Sequence, residues 1–465
     1  MFGLAQKVTS SSMQTVRIKK GHRFRISGTP GPAVESLADP GQVALLPAKI
    51  PHIKPRLQVT EGDQVHIGSP LLEDKRNARI RFLSPAGGTV AQVKFGPRRR
   101  VEAIIILRDS HDEPELTFEP IPSGTLDAMD REDIVARILT GGLWWVFHEL
   151  PFRDYPDPDC APPRIIVSLS AKEPFQPQPS AYLQDQNDLF EFGLRVLHKL
   201  AQGNVVVFGD AGDAYLTSRY GHRLTHTIEG NFPADDAGTL LYHIKVSPNE
   251  NRSWYINGQD LLLLAGLLAH GRYPIERIVA VGGDAAPVRR HVRTRLGAPL
   301  SHVVGTSAIG KDTRLVVGGL MRGYAAGPDG FVGLYETAVS LMTEGARAQF
   351  LALFRPGFAA QSYSRVFLSR LNPAQLTYDC NVHGDERACI ACMHCADVCP
   401  VDILPQMTYK AILAEEVEEF LEHGLLDCVE CGLCSYVCPS KIELSQTFKT
   451  AKAAYAIEQT GSRKS

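Results

Sequence analysis

The chain has 465 residues, 44% of them hydrophobic, and a formal net charge of −2. That length predicts about two to four domains, and the near-neutral charge gives no reason to expect nucleic acid or an acidic polymer as partner. The longest apolar run, Leu261–Ala269, has nine residues against the roughly 20 that cross a bilayer, so the expectation is a soluble chain that meets a membrane only by docking.

In chain order, "MFGLAQKVTSSSMQTV" shows no basic start leading into an apolar run and cleavage site, so a secretory signal is not expected. Residues 1–15 read as a disordered tail, with Met13 an alternative start. From 16 to 110, short Val/Ile/Leu runs alternate with E-G-D, G-S-P and P-A-G-G turns, which is hairpin chemistry. The two halves resemble the barrel-sandwich of lipoyl and biotinyl carriers. Lys75 in "EDKR" is therefore weighed as an attachment lysine and read instead as part of a structural hairpin; Arg98–Arg100 read as a solvated hairpin tip.

A polar segment, "DSHDEPELTFEPIPSG", leads into a Rossmann-like α/β domain over 111–274. Its helical stretch "DREDIVARIL" and the apolar runs Arg164–Ala171 and Asn204–Ala211, with a helical period between them, argue for a parallel sheet. Residues 275–335 suggest a small α+β unit resembling the β-grasp modules called SLBB. From about Tyr335 the chain reads as helical to its end, with Tyr409–Asp427 as one helix, so 336–465 is expected to be an α-helical, ferredoxin-like domain. The fold class is multidomain α+β.

Eight of the ten cysteines fall in two runs of the form C-x2-C-x2-C-x3-C-P. Cys389, Cys392, Cys395 and Cys399 precede Pro400; Cys428, Cys431, Cys434 and Cys438 precede Pro439. Paired C-x-x-C without an export signal favours metal or redox chemistry over disulfides. Three thiolates at this spacing turn inward around one cube, while the fourth is too far along to close it and reaches the neighbouring one. The expected ligand sets are Cys389, Cys392, Cys395 and Cys438 for one [4Fe–4S] cluster, and Cys428, Cys431, Cys434 and Cys399 for the other. Structural zinc would need two pairs per site and leaves the third cysteine and the trailing C-P of each run unexplained. Cys160 and Cys380 fit neither set and are expected as free buried thiols. His394, inside the first run, is expected to tune a cluster by hydrogen bonding rather than to ligate it.

Two clusters make a one-electron wire, so a two-electron partner is needed at its ends. A phosphate cradle needs glycines that let backbone N–H groups approach the anion. Gly141 and Gly142 begin such a turn, but Leu143, Trp144 and Trp145 follow, and two indoles are expected to fill the pocket. The turns at Phe208–Tyr215 and Val281–Pro287 are weak nucleotide candidates, and FMN is not expected. No Ser-His-Asp, H-E-x-x-H or kinase-like set is present.

The whole chain from about Val16 resembles the NqrA family, the A-type subunits of sodium-translocating NADH:quinone oxidoreductases (Nqr). The resemblance rests on Ile18–Pro30, Val43–Pro47, Pro55–Lys75, Phe82–Val93, Gly142–Phe152, Asn249–Leu261, Arg277–Pro287 and Gly323–Gly345. Familiar members keep only a remnant of the ferredoxin ligands. The eight intact cysteines are instead similar to the C-type subunit of Rnf complexes, which carries an FMN/NADH loop where this chain has Gly142–Trp145. The resemblance implies a peripheral redox subunit on the cytoplasmic face of a bacterial inner membrane. It would dock on membrane subunits, chiefly the B-type one, beside a flavin-bearing NADH dehydrogenase subunit and close to quinone. NADH and quinone would be substrates of the whole complex, with no complete catalytic site on this chain. The alternatives are an Rnf C-like NADH/FMN-binding subunit of an ion-pumping ferredoxin:NAD oxidoreductase, and a scaffold whose clusters only stabilise the tail.

Overall fold

A computed structural model describes residues 13–109, 113–346, 354, 356–363 and 367–462. Residues 42–108 form two antiparallel sheets facing one another. One has the order 42–45, 101–108, 88–95, 64–65, and the other 55–57, 70–74, 77–83. Val90, Ile104, Ile106, Leu71, Leu72 and Phe82 are buried between them, and the first three and Phe82 fall on the inward positions of a period-2 pattern. Pro97–Arg99 make the exposed turn between two of these strands, as the sequence suggests.

The second sheet has six strands in the order 14–17, 226–229, 205–210, 165–168, 254–257, 148–149. All neighbours run parallel except the last pair. Ile165–Ser168 is buried along its whole length, because helices cover both faces of such a sheet. Gln14 and Thr15, read as the end of a tail, are part of its edge strand; residues 1–12 of that reading lie outside the described residues.

A third sheet has the order 324–326, 313–317, 338–343, 276–282, 290–295, 34–36. It draws one strand from near the start of the chain and one, Ala338–Thr343, from beyond residue 335. The expectation of helix from Tyr335 onward is therefore corrected: among the described residues a strand comes first, and the α-helices begin only at His394. The helix expected over Tyr409–Asp427 is two, Pro405–Leu413 and Val417–Glu422. The chain breaks between them at Glu415, which is left-handed with φ 59.

Barrel and α/β domain share one continuous core, in which Leu83, Phe82, Trp144, Trp145, Phe147 and Trp254 meet. No helix among the described residues is long and apolar enough to cross a membrane.

Candidate iron–sulfur centre

The two cysteine runs fold as copies of one another. Ala391 and Met393 in the first, Glu430 and Gly432 in the second, all take left-handed backbone with φ between 53 and 79. Alternating handedness at these steps turns successive N–H groups to one side, making a concave anion-binding nest. A single helical turn follows in each, His394–Asp397 and Leu433–Tyr436. After each C-P a left-handed residue recurs, Asp402 at φ 55 and Lys441 at φ 59.

Chain reversal between the runs then mixes them. One cavity is lined by Cys389, Cys392 and Cys395 from the first run and by Cys438 from the second, with Met393, Gln406 and Ile442. Cys399, the fourth cysteine of the first run, lies instead with Cys428, Cys431 and Cys434, close enough for these thiols to disfavour one another's ionisation.

The two sets differ in environment. Cys389 and Cys392 are exposed, so the first set opens to the surface and forms an outer site; Cys431 and Cys399 are buried in the second, inner set. Burial pushes all four inner thiols up, Cys399 to about 11. Backbone N–H groups of Val401 and Ile403, Glu430, Leu433 and Ser435 work the other way on Cys399, Cys428, Cys431 and Cys434. Thiolates at this depth require a cation among them. Four thiols per set, with inward N–H groups at the inner one, fit an iron–sulfur cube. No three His, Cys, Asp or Glu side chains among the described residues close around a single metal ion; a cube holds its thiolates at separate corners and asks for wider spacing.

The region is wedged against the rest of the molecule. His243 Nε2 and the Pro400 carbonyl oxygen are 2.9 Å apart, and Lys245 pairs with Asp427 at 2.6 Å. Lys20 Nζ donates to the Ala396 carbonyl at 3.1 Å and pairs with Asp402 at 2.8 Å. Arg153 Nη2 donates to the Val429 carbonyl at 3.0 Å while pairing with buried Asp236 at 2.8 Å. Lys452 Nζ donates to the carbonyls of Cys428 and Pro151, at 3.0 and 2.8 Å. Sequence reasoning missed Lys20, Arg153 and Lys452, because nothing local to any of them points at cysteines elsewhere in the chain.

The candidate nucleotide turns are closed by packing. Trp144 and Trp145 are fully buried, and Trp144 Nε1 donates to the Pro156 carbonyl at 2.8 Å. Gly142 is left-handed at φ 66, and a Cβ there would meet the Leu83 side chain at 2.3 Å. At the Phe208–Tyr215 turn, Asp210 accepts from Gly212 N–H at 3.1 Å and Asp213 caps the next helix at Leu216 N–H. At Val281–Pro287 a Cβ on Gly283 would meet the Leu341 carbonyl oxygen at 2.1 Å. The crevice beside strand 254–257, at the carboxyl end of a parallel strand where open α/β sheets take ligands, is filled as well. A Cβ on Gly258 would meet both Leu169 and Tyr182 at 2.7 Å.

Other expectations resolve individually. Lys75 is exposed in the turn between strands 70–74 and 77–83. The adjacent Arg76 ties that hairpin to Asp154 of the α/β domain, which leaves it no swing. Cys160 is exposed, correcting its reading as buried: it sits in a Pro-rich turn, and its carbonyl accepts from Arg131 at 2.6 Å. Cys380 is half-buried. The described contacts of His394 are with Tyr363, ring centroids 5.2 Å apart, and Asp397 at 3.9 Å, rather than with a thiol.

Residues 16–109 match the family model described as the NqrA N-terminal barrel-sandwich hybrid domain, 129–273 the NqrA second alpha/beta domain, and 381–439 a 4Fe-4S dicluster domain. The chain is 30% identical to the NqrA of Hahella chejuensis, a component of its Na(+)-translocating NADH-quinone reductase, over 89% of this chain and 92% of that one. It is 29% identical to the NqrA of Pasteurella multocida, again over 89% and 92%. A NAD+-reducing [NiFe]-hydrogenase in the air-oxidized state superposes with a TM-score of 0.30 and 14% identity over 50% of this chain and 52% of that one, too slight a likeness to bear on function.

Proposed function

Since the chain belongs to the NqrA family of the Na(+)-translocating NADH-quinone reductase, we propose that it is the peripheral redox subunit of such a complex and carries two [4Fe–4S] clusters as an electron relay. The outer cluster takes Cys389, Cys392, Cys395 and Cys438, and the inner one Cys428, Cys431, Cys434 and Cys399. Each supplies reversible one-electron storage when bound; the chain's residues hold the thiolates, exclude water from the inner set and orient N–H groups toward it. The observation that carries the reading is the cavity lined jointly by the first run's three leading cysteines and Cys438.

The protein docks on the cytoplasmic side of the membrane subunits, chiefly the B-type one, and receives electrons that entered through the flavin-bearing NADH dehydrogenase subunit. NADH and quinone are substrates of the assembly. The third sheet is a β-grasp (SLBB) module, a reading supported by its central parallel pair, 276–282 with 338–343. The Rnf C-like alternative is not favoured: the indoles of Trp144 and Trp145 and the side chains of Leu169 and Tyr182 occupy the space a flavin or nicotinamide nucleotide would need.

Anaerobically purified chain, followed by visible and EPR spectroscopy, tests this. Broad absorption bleached by dithionite but not by NADH with FMN present is expected. Bleaching by NADH would return the Rnf-like reading, and absence of iron–sulfur spectra would sink both.

A further inference from the structure

We propose that Lys20, Arg153, Arg322 and Lys452 hold up the reduction potential of the inner ligand set, offsetting its burial so that an electron taken at the outer set passes inward. This rests on the two-cluster reading above. Each residue comes from a different part of the chain. Lys20 follows the edge strand 14–17, Arg153 lies in the α/β domain, Arg322 in the turn after strand 313–317, and Lys452 in the last helix.

All four reach the inner set. Arg153 and Lys452 bond the carbonyls of Val429 and Cys428, while Lys20 bonds that of Ala396, which lies between outer Cys395 and inner Cys399, and pairs with Asp402 three residues after Cys399. The Arg322 turn packs on the second run: a Cβ on Gly432 would stand 3.0 Å from the Met321 carbonyl oxygen. Arg153 and Arg322 share Asp236, at 2.8 and 3.2 Å. Lys452 is paired with Glu430 at 2.7 Å and its side chain is only 3% exposed. The outer set has no such ring among the described residues. Arg387, exposed, bonds the Pro439 carbonyl there, and no Lys or Arg is among the residues that line the outer cavity.

The physical logic is one of opposing effects. A reduced cluster carries one more negative charge, and burial disfavours that charge while water at the outer set welcomes it. Cations within a few bonds of the inner thiolates, in a medium poorly screened by water, favour the reduced form. Without them the inner set would be the harder of the two to reduce, and the wire would stop at the surface. Transfer between the sets moves one electron, with no proton or group.

An EPR-monitored redox titration of the full-length, iron-loaded chain tests the proposal, with Cys392→Ala used to assign the outer signal. Lys452→Met and Arg322→Gln should each lower the inner midpoint by about tenfold in its equilibrium, ~59 mV for one electron, and leave the outer midpoint in place. Lys20→Gln, at a half-exposed position, should shift it in the same direction with full iron content even if a deeper variant fails to assemble. An unmoved inner midpoint at full iron content, or equal shifts in both signals, overturns the proposal alone. Absence of iron–sulfur signals from the native chain overturns it together with the reading it rests on.

Discussion

Met393 and Gly432 stand at the same step of the two cysteine runs, and both are left-handed, with φ 67 and 79. Methionine bears roughly 1–2 kcal/mol of strain there that glycine avoids. At Gly432 a side chain would also press on the Met321 carbonyl oxygen, 3.0 Å away, where rigid backbone cannot yield. Gly432→Ala should therefore lower the thermal midpoint and release iron from the inner set, whereas Met393→Gly should retain full iron; iron assay after gel filtration distinguishes them. The crossing of the fourth cysteines makes a sharper prediction. Cys389→Ser and Cys438→Ser should remove the same EPR signal and about half of the iron, and the double variant should lose no more than either single one, because the residues of one site act as a unit. Cys389→Ser combined with Cys434→Ser should lose both signals. If Cys438→Ser instead extinguished the signal that depends on Cys434, each run would be closing its own cube.

Among elements, strand His148–Glu149 has the clearest dependence on solution conditions. His148 stacks on Tyr255 at 4.9 Å and 21°, its Nδ1 lies 3.3 Å from the Arg153 carbonyl, and burial lowers its pKa to about 4. The folded state holds the ring neutral while the unfolded chain protonates near 6.5. Its contribution to stability is thus whole above pH 6.5 and is lost as pH falls from there toward 4. By linkage the loss at pH 5 is about 2 kcal/mol. Urea unfolding at pH 7 and pH 5 should show a gap that narrows by about that amount in His148→Phe, which keeps a ring in the stack; an unchanged gap would mean His148 titrates normally. Whether an element was legible in the sequence depended on how local its cause is. The Val/Ile runs at 165–168 and 205–210, and the cysteine spacing, are local patterns, and they forecast the strands and the two matching cysteine turns. Strands 14–17 and 34–36 are short and partly polar, and their pairing with 226–229 and 290–295 depends on partners more than two hundred residues away. Residues 409–427 carry a helical period throughout, yet the chain breaks at left-handed Glu415, and Ala411 and Phe420 on its two sides are both buried in the core of the cysteine region.

For the whole molecule, the arrangement of the cluster region decides how it folds. Its core includes Val398, Val401, Ile403, Phe420, Leu425, Leu433, Val437, Ile442, Leu444 and Phe448, with cysteines among them and Phe232 from the α/β domain. A core this small, with six of the eight thiols in it or packed against it, should need metal–ligand bonds to set its shape, since metal binding energy in such regions is folding energy. The barrel and the α/β domain need no such help, because they share one large apolar core that contains Trp144, Trp145 and Trp254. Stability should accordingly be divided. Anaerobic chelation of iron should strip hydrogen-exchange protection from 389–448 and leave strands 165–168 and 205–210 as protected as before. The contacts that remain, Lys245 with Asp427 and Arg153 with the Val429 carbonyl, fasten the region only while its turns hold their left-handed form. Loss of protection throughout the chain on chelation would mean that the inner set is a keystone for all the domains. Full retention of protection would mean that the apolar core alone holds the thiols in place, and the ligand sets would then be preformed before any iron arrives.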